Sequence, residues 1–172
     1  MGSSEAEFLL ATCYEQGLGS KRDFQEALEL YKKAANSGEK HSLLRLGQIY
    51  MNGIGVERDE KAAVGYYREA TSFKEGTLED MVAKQNDGES MFELGKCCLL
   101  GKGIEKNEKE AVEWLRKAID KGHVEASILL GYCYQKGLGI EKDQEKANMW
   151  YEKALRHRVN MEKLGEFRIK IY

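Results

Sequence analysis

The sequence predicts an all-α protein, an α-solenoid in which antiparallel helix pairs are stacked. Three observations support this prediction. A glycine pair of the form G-x-G, followed by a polar stretch, occurs four times at regular intervals. Between these pairs, apolar and small residues recur at three- and four-residue steps, which place them on one face of a helix. The chain of 172 residues contains 18 glycines and no proline, a residue that would interrupt helix interiors.

The spacing of the glycine pairs defines a repeat. The first two pairs lie 36 residues apart, as do the last two, whereas the middle interval is 48 residues. A period of 36 residues with one insertion of 12 residues therefore accounts for all four copies. We expect a single domain over residues 1–172. Its predicted repeats cover about 5–40, 41–76, 89–124 and 125–158.

Each repeat contains two predicted helices. The glycine after each first helix can adopt the left-handed conformation that ends a helix. An Asp or Asn then precedes each second helix, where its side chain can accept hydrogen bonds from the free amides of the first turn. The first helices are expected near 5–16, 41–52, 89–100 and 125–136. The second helices are expected near 24–36, 60–72, 108–120 and 144–156.

Two segments depart from the regular pattern. The insertion covers about 73–88, where a short helix beginning at Thr77 and a plain loop are both compatible with the sequence. With the short helix, Asn86-Asp87-Gly88 would then be the turn into the third repeat. The tail, residues 159–172, is predicted to be a capping helix, because the last repeat of a solenoid leaves one face uncovered.

The repeat columns resemble the Sel-1-like repeat family. The fourth copy carries the motif most fully, as L-G-Y-C-Y-Q-K-G-L-G-I-E-K-D from Leu130 followed by W-Y-E-K-A from Trp150. The resemblance covers nearly the whole chain. It implies a solenoid related to tetratricopeptide arrays, acting as a scaffold or adaptor that binds a protein or peptide in a concave groove.

The same resemblance carries an expectation about cellular location and context. Secreted relatives pair their two helices through disulfides, and the columns used for that pairing hold no cysteine here. This implies a reducing, cytoplasmic location. Some relatives are arrays within longer signalling proteins, for example ones with kinase-like domains. We therefore expect the chain to be a module of a longer protein.

The glycine pairs could instead be phosphate-binding loops, but the surrounding residues do not fit. A dinucleotide-binding loop needs a third glycine after a β-strand, and a P-loop needs Gly-Lys-Ser or Gly-Lys-Thr. Both features are absent from the four copies. Cys13, Cys97 and Cys133 share a repeat column with Ile49, which indicates apolar core positions, and adjacent Cys97 and Cys98 lack zinc-site spacing. No cofactor and no metal ion are expected.

The composition disfavours several other functions. A formal charge of −2 gives no support for nucleic-acid binding. No apolar run approaches the roughly 20 residues needed to span a membrane. No Ser-His-Asp or Cys-His set is visible, so an enzyme acting on carbohydrate or cell-wall material is the weaker alternative to a scaffold. Self-association into a homo-oligomer through the solenoid ends is a further alternative.

A stripe on the first helices is the predicted binding surface. It consists of the positions 12, 8, 5 and 1 residues before each glycine, opposite the buried face. Its chemistry changes from repeat to repeat, whereas the core columns stay alike. Tetratricopeptide arrays line their groove with the first helix, so the resemblance points to the same surface. The predicted partner-binding residues are Arg45, Gln48, Asn52, Glu93, Lys96, Leu129, Tyr132 and Lys136.

Overall fold

The computed structural model describes the backbone of residues 3–72 and 80–169, and the side chains of residues 3–72 and 87–157. The described backbone forms eight helices and contains no strand. In chain order these are α1 (Ser4–Gln16), α2 (Phe24–Asn36), α3 (Lys40–Asn52), α4 (Glu60–Ser72), α5 (Asp80–Leu100), α6 (Glu108–Asp120), α7 (Val124–Lys136) and α8 (Gln144–Ile169).

The predicted fold class is confirmed. The helices pack as the pairs α1–α2, α3–α4, α5–α6 and α7–α8, and each second helix also contacts the first helix of the next pair. Six helices begin and end within one residue of the predicted limits. The exceptions are α5 and α8, which are longer than expected.

The connectors form as the local sequence predicts. The glycines after α1, α3 and α7 have φ between 66° and 76°, and each donates a backbone hydrogen bond to the carbonyl four residues earlier. The polar residue before each second helix caps its first turn, for example Asp23, which accepts from the amides of Gln25 and Glu26. These bonds satisfy backbone groups that a helix end leaves without partners.

The second glycine of the connector fixes how the repeats stack. A Cβ atom on Gly103 or Gly139 would lie 2.1 Å from a backbone carbonyl oxygen of the preceding repeat, that of Glu60 or Glu108. No larger residue can approach so closely, and both glycines also have positive φ. The connector is therefore a packing device as well as a turn.

The core runs along the solenoid rather than forming one centre. Leu46, Leu94 and Leu130 share one column and are at most 1% exposed. Tyr31 and Tyr67, from the second helices, are also 1% exposed. Burial of these side chains is the main force that holds the pairs together.

The turn predicted at Asn86-Asp87-Gly88 is wrong, because α5 passes through it without a break. Asp87 is 8% exposed and its carboxylate lies 3.3 Å from Lys40 Nζ. A Cβ on Gly88 would lie 3.3 Å from the Cβ atoms of Lys121 and His123, so the helix packs tightly there. These tertiary contacts override the local turn signal. The possible helix start at Thr77 lies outside the described residues.

The capping helix predicted for the tail does not form a separate element. Residues 159–169 are helical, but they continue α8 instead of following a turn. In the first and third repeats, Gly38 and Gly122 follow the second helix with φ of 84° and 87°. Arg158 occupies this column in the fourth repeat, so the residue that permits the reversal is missing.

Candidate functional site

Two adjoining clefts lie along the first helices of repeats one to three. The cleft between α1 and α3 has a volume of about 700 Å³, and the one between α3 and α5 about 250 Å³. Arg45 and Gln48 line both clefts, which therefore form one continuous surface, called the groove below. Other residues that line the groove include Phe8, Glu15, Arg22, Tyr31, His41, Asn52, Glu93, Lys96 and Lys102.

The groove brings together five of the eight predicted binding residues. Arg45 and Gln48 lie at its middle, and Asn52, Glu93 and Lys96 line the second cleft. The other three lie on α7 and line neither cleft. They are Leu129, Tyr132 and Lys136, called the α7 face below.

A hydrogen-bonded network forms the floor of the first cleft. Arg45 Nε donates to Glu15 Oε2 over 3.1 Å, and a second Arg45 nitrogen donates to the other carboxylate oxygen. The remaining Arg45 nitrogen donates to Gln48 Oε1 over 3.1 Å. Tyr31 donates its hydroxyl proton to Glu15 Oε2 over 2.8 Å and lies 3.2 Å from Thr12 Oγ1. This bidentate pair joins the first repeat to the second.

The network changes the proton affinities of its members. Burial alone would raise the pKa of Glu15, but the hydrogen bonds from Arg45 and Tyr31 outweigh it and hold that pKa below the ordinary value of 4.5. Burial raises the pKa of Tyr31 to about 12, and the neighbouring Glu15 carboxylate adds to that increase. Glu15 is therefore ionised and Tyr31 neutral at physiological pH, as the hydrogen bonds between them require.

Apart from those of Arg45, the polar contacts of the second cleft lie within single helices rather than across a repeat boundary. Lys96 Nζ lies 2.6 Å from Glu93 Oε1 and 5.0 Å from the centre of the Phe92 ring. Asn52 Nδ2 donates to the backbone carbonyl of Gln48 over 2.9 Å. Cys97 lies beneath and is 2% exposed, and burial raises the pKa of its thiol to about 11. The thiol is therefore protonated and unreactive rather than nucleophilic.

The α7 face has a different character. Leu129 is half-buried against the core, whereas the Tyr132 side chain is 42% exposed. Lys136 Nζ lies 6.0 Å from the centre of the Tyr132 ring, at the outer limit of a cation–π contact. Within the described residues, no salt bridge joins this face to a neighbouring repeat.

The predicted binding residues omit several that line the groove, including Phe8, Glu15, Arg22, Tyr31 and Lys102. Tyr31 belongs to a tyrosine column that includes Tyr67 and Tyr151, which marked it only as core. Glu15 stands two residues before its glycine, where the other copies have Met51, Leu99 and Gln135. A lone charge in a column of mostly apolar residues was the available signal, but its partner is 30 residues away.

The described residues offer binding chemistry rather than covalent chemistry. Among them, no group of three or more His, Cys, Asp and Glu side chains is arranged to hold a metal ion. The cysteines are present as free thiols. None of the described helices combines the length and apolar character needed to cross a membrane. What the groove does present is guanidinium, ammonium and amide groups beside aromatic rings.

Stacked helix pairs with a groove along the first helices define a helical-repeat solenoid. The chain belongs to the Sel1 repeat family, whose profile matches residues 4–39, 40–72, 88–123 and 124–157. Sel1-repeat proteins are generally protein-interaction scaffolds, and the fold is generally non-catalytic.

Solved structures show the same fold. A Sel1 repeat protein from Oxalobacter formigenes is 29% identical with a TM-score of 0.76, and the match covers 90% of this chain and 58% of that one. Cysteine rich protein B from Helicobacter pylori is 28% identical with a TM-score of 0.54, over 72% of this chain and 86% of that one.

A curated relative matches over a shorter stretch. The mouse protein DAP3-binding cell death enhancer 1 is 39% identical over 49 residues. That stretch is 28% of this chain and 10% of the mouse protein, so the chain spans only a small part of its length.

Proposed function

We propose that this chain is a scaffold module that binds an extended segment or a helix of a partner protein along the groove. The observation that carries the proposal is the continuity of the two clefts through Arg45 and Gln48. A ligand lying across α1, α3 and α5 contacts several repeats at once, as solenoid ligands do. The α7 face, Leu129, Tyr132 and Lys136, is proposed as a secondary contact in the fourth repeat that adds little affinity.

The groove has the composition of a recognition surface. Its lining combines the Arg45 guanidinium group, the amides of Gln48 and Asn52, and the rings of Phe8 and Tyr31. Arg and aromatic residues are enriched where binding energy is concentrated. The bidentate pair with Glu15 holds Arg45 in one orientation, which reduces the entropy lost on binding.

The experiment is capture of the native partner by the tagged chain from its source, identified by mass spectrometry and repeated with purified protein. Replacing Arg45 and Lys96 by Glu, together with Tyr132→Ala, is expected to abolish capture. The matched control replaces exposed Lys109 and Lys153 by Glu. Helical circular dichroism should be unchanged in both variants. Normal capture by the triple variant would indicate that the partner binds elsewhere, with the convex face or residues 77–88 as the next surfaces to test.

We also propose that the protein acts in the cytoplasm. Four free cysteines support this location, since thiols that lie in an oxidising compartment tend to be paired. The prediction is checked by heating the protein with and without dithiothreitol. The melting temperature should be the same in both, and a drop caused by the reductant would reveal a disulfide.

A second candidate function, self-association, is favoured by one end of the solenoid. Ile128 is 50% exposed and Leu155 is 61% exposed, and both line an apolar cleft of about 590 Å³. At the matching positions of earlier repeats, Leu44 is 9% exposed and Ala35 is 5% exposed. Replacing Ile128 and Leu155 by Asp should convert any concentration-dependent oligomer into a monomer in sedimentation equilibrium. A wild-type chain that stays monomeric at high concentration would exclude this candidate.

A further inference from the structure

We infer that the groove selects an acidic ligand: an extended segment of the partner protein that is rich in Asp and Glu. This inference rests on the proposed function and adds the chemical class of the partner. It follows from the balance, the exposure and the placement of the charges that line the groove.

The groove carries an excess of positive charge in a chain that is negative overall. Its lining includes four cations and two carboxylates, whereas the whole chain has a formal charge of −2. The cations are Arg22, Arg45, Lys96 and Lys102, and the carboxylates are Glu15 and Glu93. A local charge of opposite sign to the whole protein attracts anionic ligands to that surface alone.

The carboxylates lie beneath the cations. In the first cleft the Arg45 side chain is 31% exposed and that of Glu15 is 11% exposed. In the second cleft the Lys96 side chain is 38% exposed and that of Glu93 is 15% exposed. A ligand therefore meets the positive member of each pair first. The buried carboxylates orient the cations, and they leave the ligand side of the groove positive.

Two cations in the groove form no direct ion pair, although the charge of Arg22 helps to lower the pKa of Glu15. Arg22 lines only the first cleft and Lys102 only the second, so they flank the shared residues Arg45 and Gln48. Both residues are exposed, and no salt bridge involves either of them within the described part of the chain. Ion pairs to these two side chains are left for a ligand that spans both clefts.

The amide groups of the groove favour a peptide over a nucleic acid. Gln48 accepts from Arg45 through Oε1, and no hydrogen bond from its amide nitrogen occurs within the described residues. Asn52 adds a second amide, whose Nδ2 donates to the Gln48 carbonyl. Amides both donate and accept hydrogen bonds, which matches a peptide backbone, whereas a phosphate backbone offers only acceptors.

The test is selection from a random peptide library displayed on phage, followed by fluorescence anisotropy with the selected peptides. We expect Asp and Glu to be enriched among peptides that bind. Replacing Arg22 and Lys102 by Glu should weaken their binding by about tenfold or more, and Gln at both positions should have an intermediate effect. The matched control, Lys109→Glu with Lys142→Glu, carries the same charge change on exposed lysines outside the groove and should leave affinity within about twofold.

The outcomes separate this inference from the proposed function. Selection of neutral or basic peptides whose binding depends on Arg45 and Lys96 would support the groove as the binding site. It would contradict the preference for an acidic ligand. Acidic peptides that bind the Arg22 and Lys102 variant as well as wild type would overturn it too. Tighter binding of single-stranded RNA than of any peptide would contradict the inference that the ligand is a peptide. Failure to select any peptide that depends on groove residues would overturn the proposed function itself.

Discussion

The groove and the α7 face occupy the same positions of the repeat, yet they are different surfaces. In the groove, Arg45 of the second repeat forms a bidentate pair with Glu15 of the first. On the α7 face, Tyr132 is exposed and Lys136 lies over its ring. The difference teaches that the same surface column can be joined across a repeat boundary in one repeat and have only local contacts in another.

The sequence of each boundary accounts for this difference. The column of Glu15 faces the column of Arg45 in the next repeat. At the second boundary the same two columns hold Met51 and Glu93, and at the third they hold Leu99 and Leu129. An ion pair between these columns is therefore possible only at the first boundary. At the third boundary two leucines can contribute only apolar contact.

The largest expected effect is on partner binding, and it distinguishes the groove from the α7 face. Replacing Arg45 and Lys96 by Glu should weaken binding about 100-fold, because both cations of the central groove are reversed. Replacing Tyr132 by Ala and Lys136 by Glu should change the affinity by less than about threefold. Isothermal titration calorimetry with the identified partner measures both. Equal losses in the two variants would show that the ligand uses both surfaces alike.

The next effect concerns stability. Arg45→Met removes the guanidinium and leaves the Glu15 carboxylate, whose side chain is 11% exposed, with Tyr31 as its remaining donor. We expect a loss of about 1–2 kcal/mol in the free energy of unfolding. The matched variant Lys136→Met should stay within about 0.5 kcal/mol of wild type. Urea denaturation measures both, and no loss in Arg45→Met would mean that the network adds no stability.

The stability difference should also depend on pH. The pKa of Glu15 is lower in the folded chain than its ordinary value of 4.5. The stabilisation is thus fully present above pH 4.5 and is lost as the pH falls through the folded pKa. The gap between wild type and Arg45→Met should be constant above about pH 4.5 and should shrink as the pH falls below it. If the difference in unfolding free energy stays constant with pH, the loss in Arg45→Met comes from packing of the Arg45 side chain rather than from its ion pair.

The smallest expected effect is on the reaction rates of two buried thiols, one beneath the groove and one beneath the α7 face. Cys97 lies under the groove and Cys133 on the buried side of α7, and burial raises the pKa of each to about 11. Both should react slowly with a thiol reagent in the folded protein. Bound partner should slow Cys97 further and leave Cys133 unchanged, as measured by mass spectrometry of the alkylated peptides. Equal protection of both would indicate global stabilisation rather than occupation of the groove.

The sequence determined the repeat architecture because its signals are local. Glycines that take positive φ, Asp and Asn caps, and an apolar face with helical spacing act over a few residues. They recur in each copy, so they placed six helices within one residue. The same columns identified the stripe that contains Arg45, Gln48 and Lys96.

The tertiary structure decided what long-range contacts control. Asn86-Asp87-Gly88 has the residues of a turn, but it is helical where Asp87 approaches Lys40 and Gly88 packs beside His123. Glu15 and Arg45 are unremarkable charges in the sequence, separated by 30 residues. They become a pair only when stacking brings α1 beside α3. Which member of such a pair faces a ligand depends on burial, and burial is a property of the packed solenoid rather than of any one repeat.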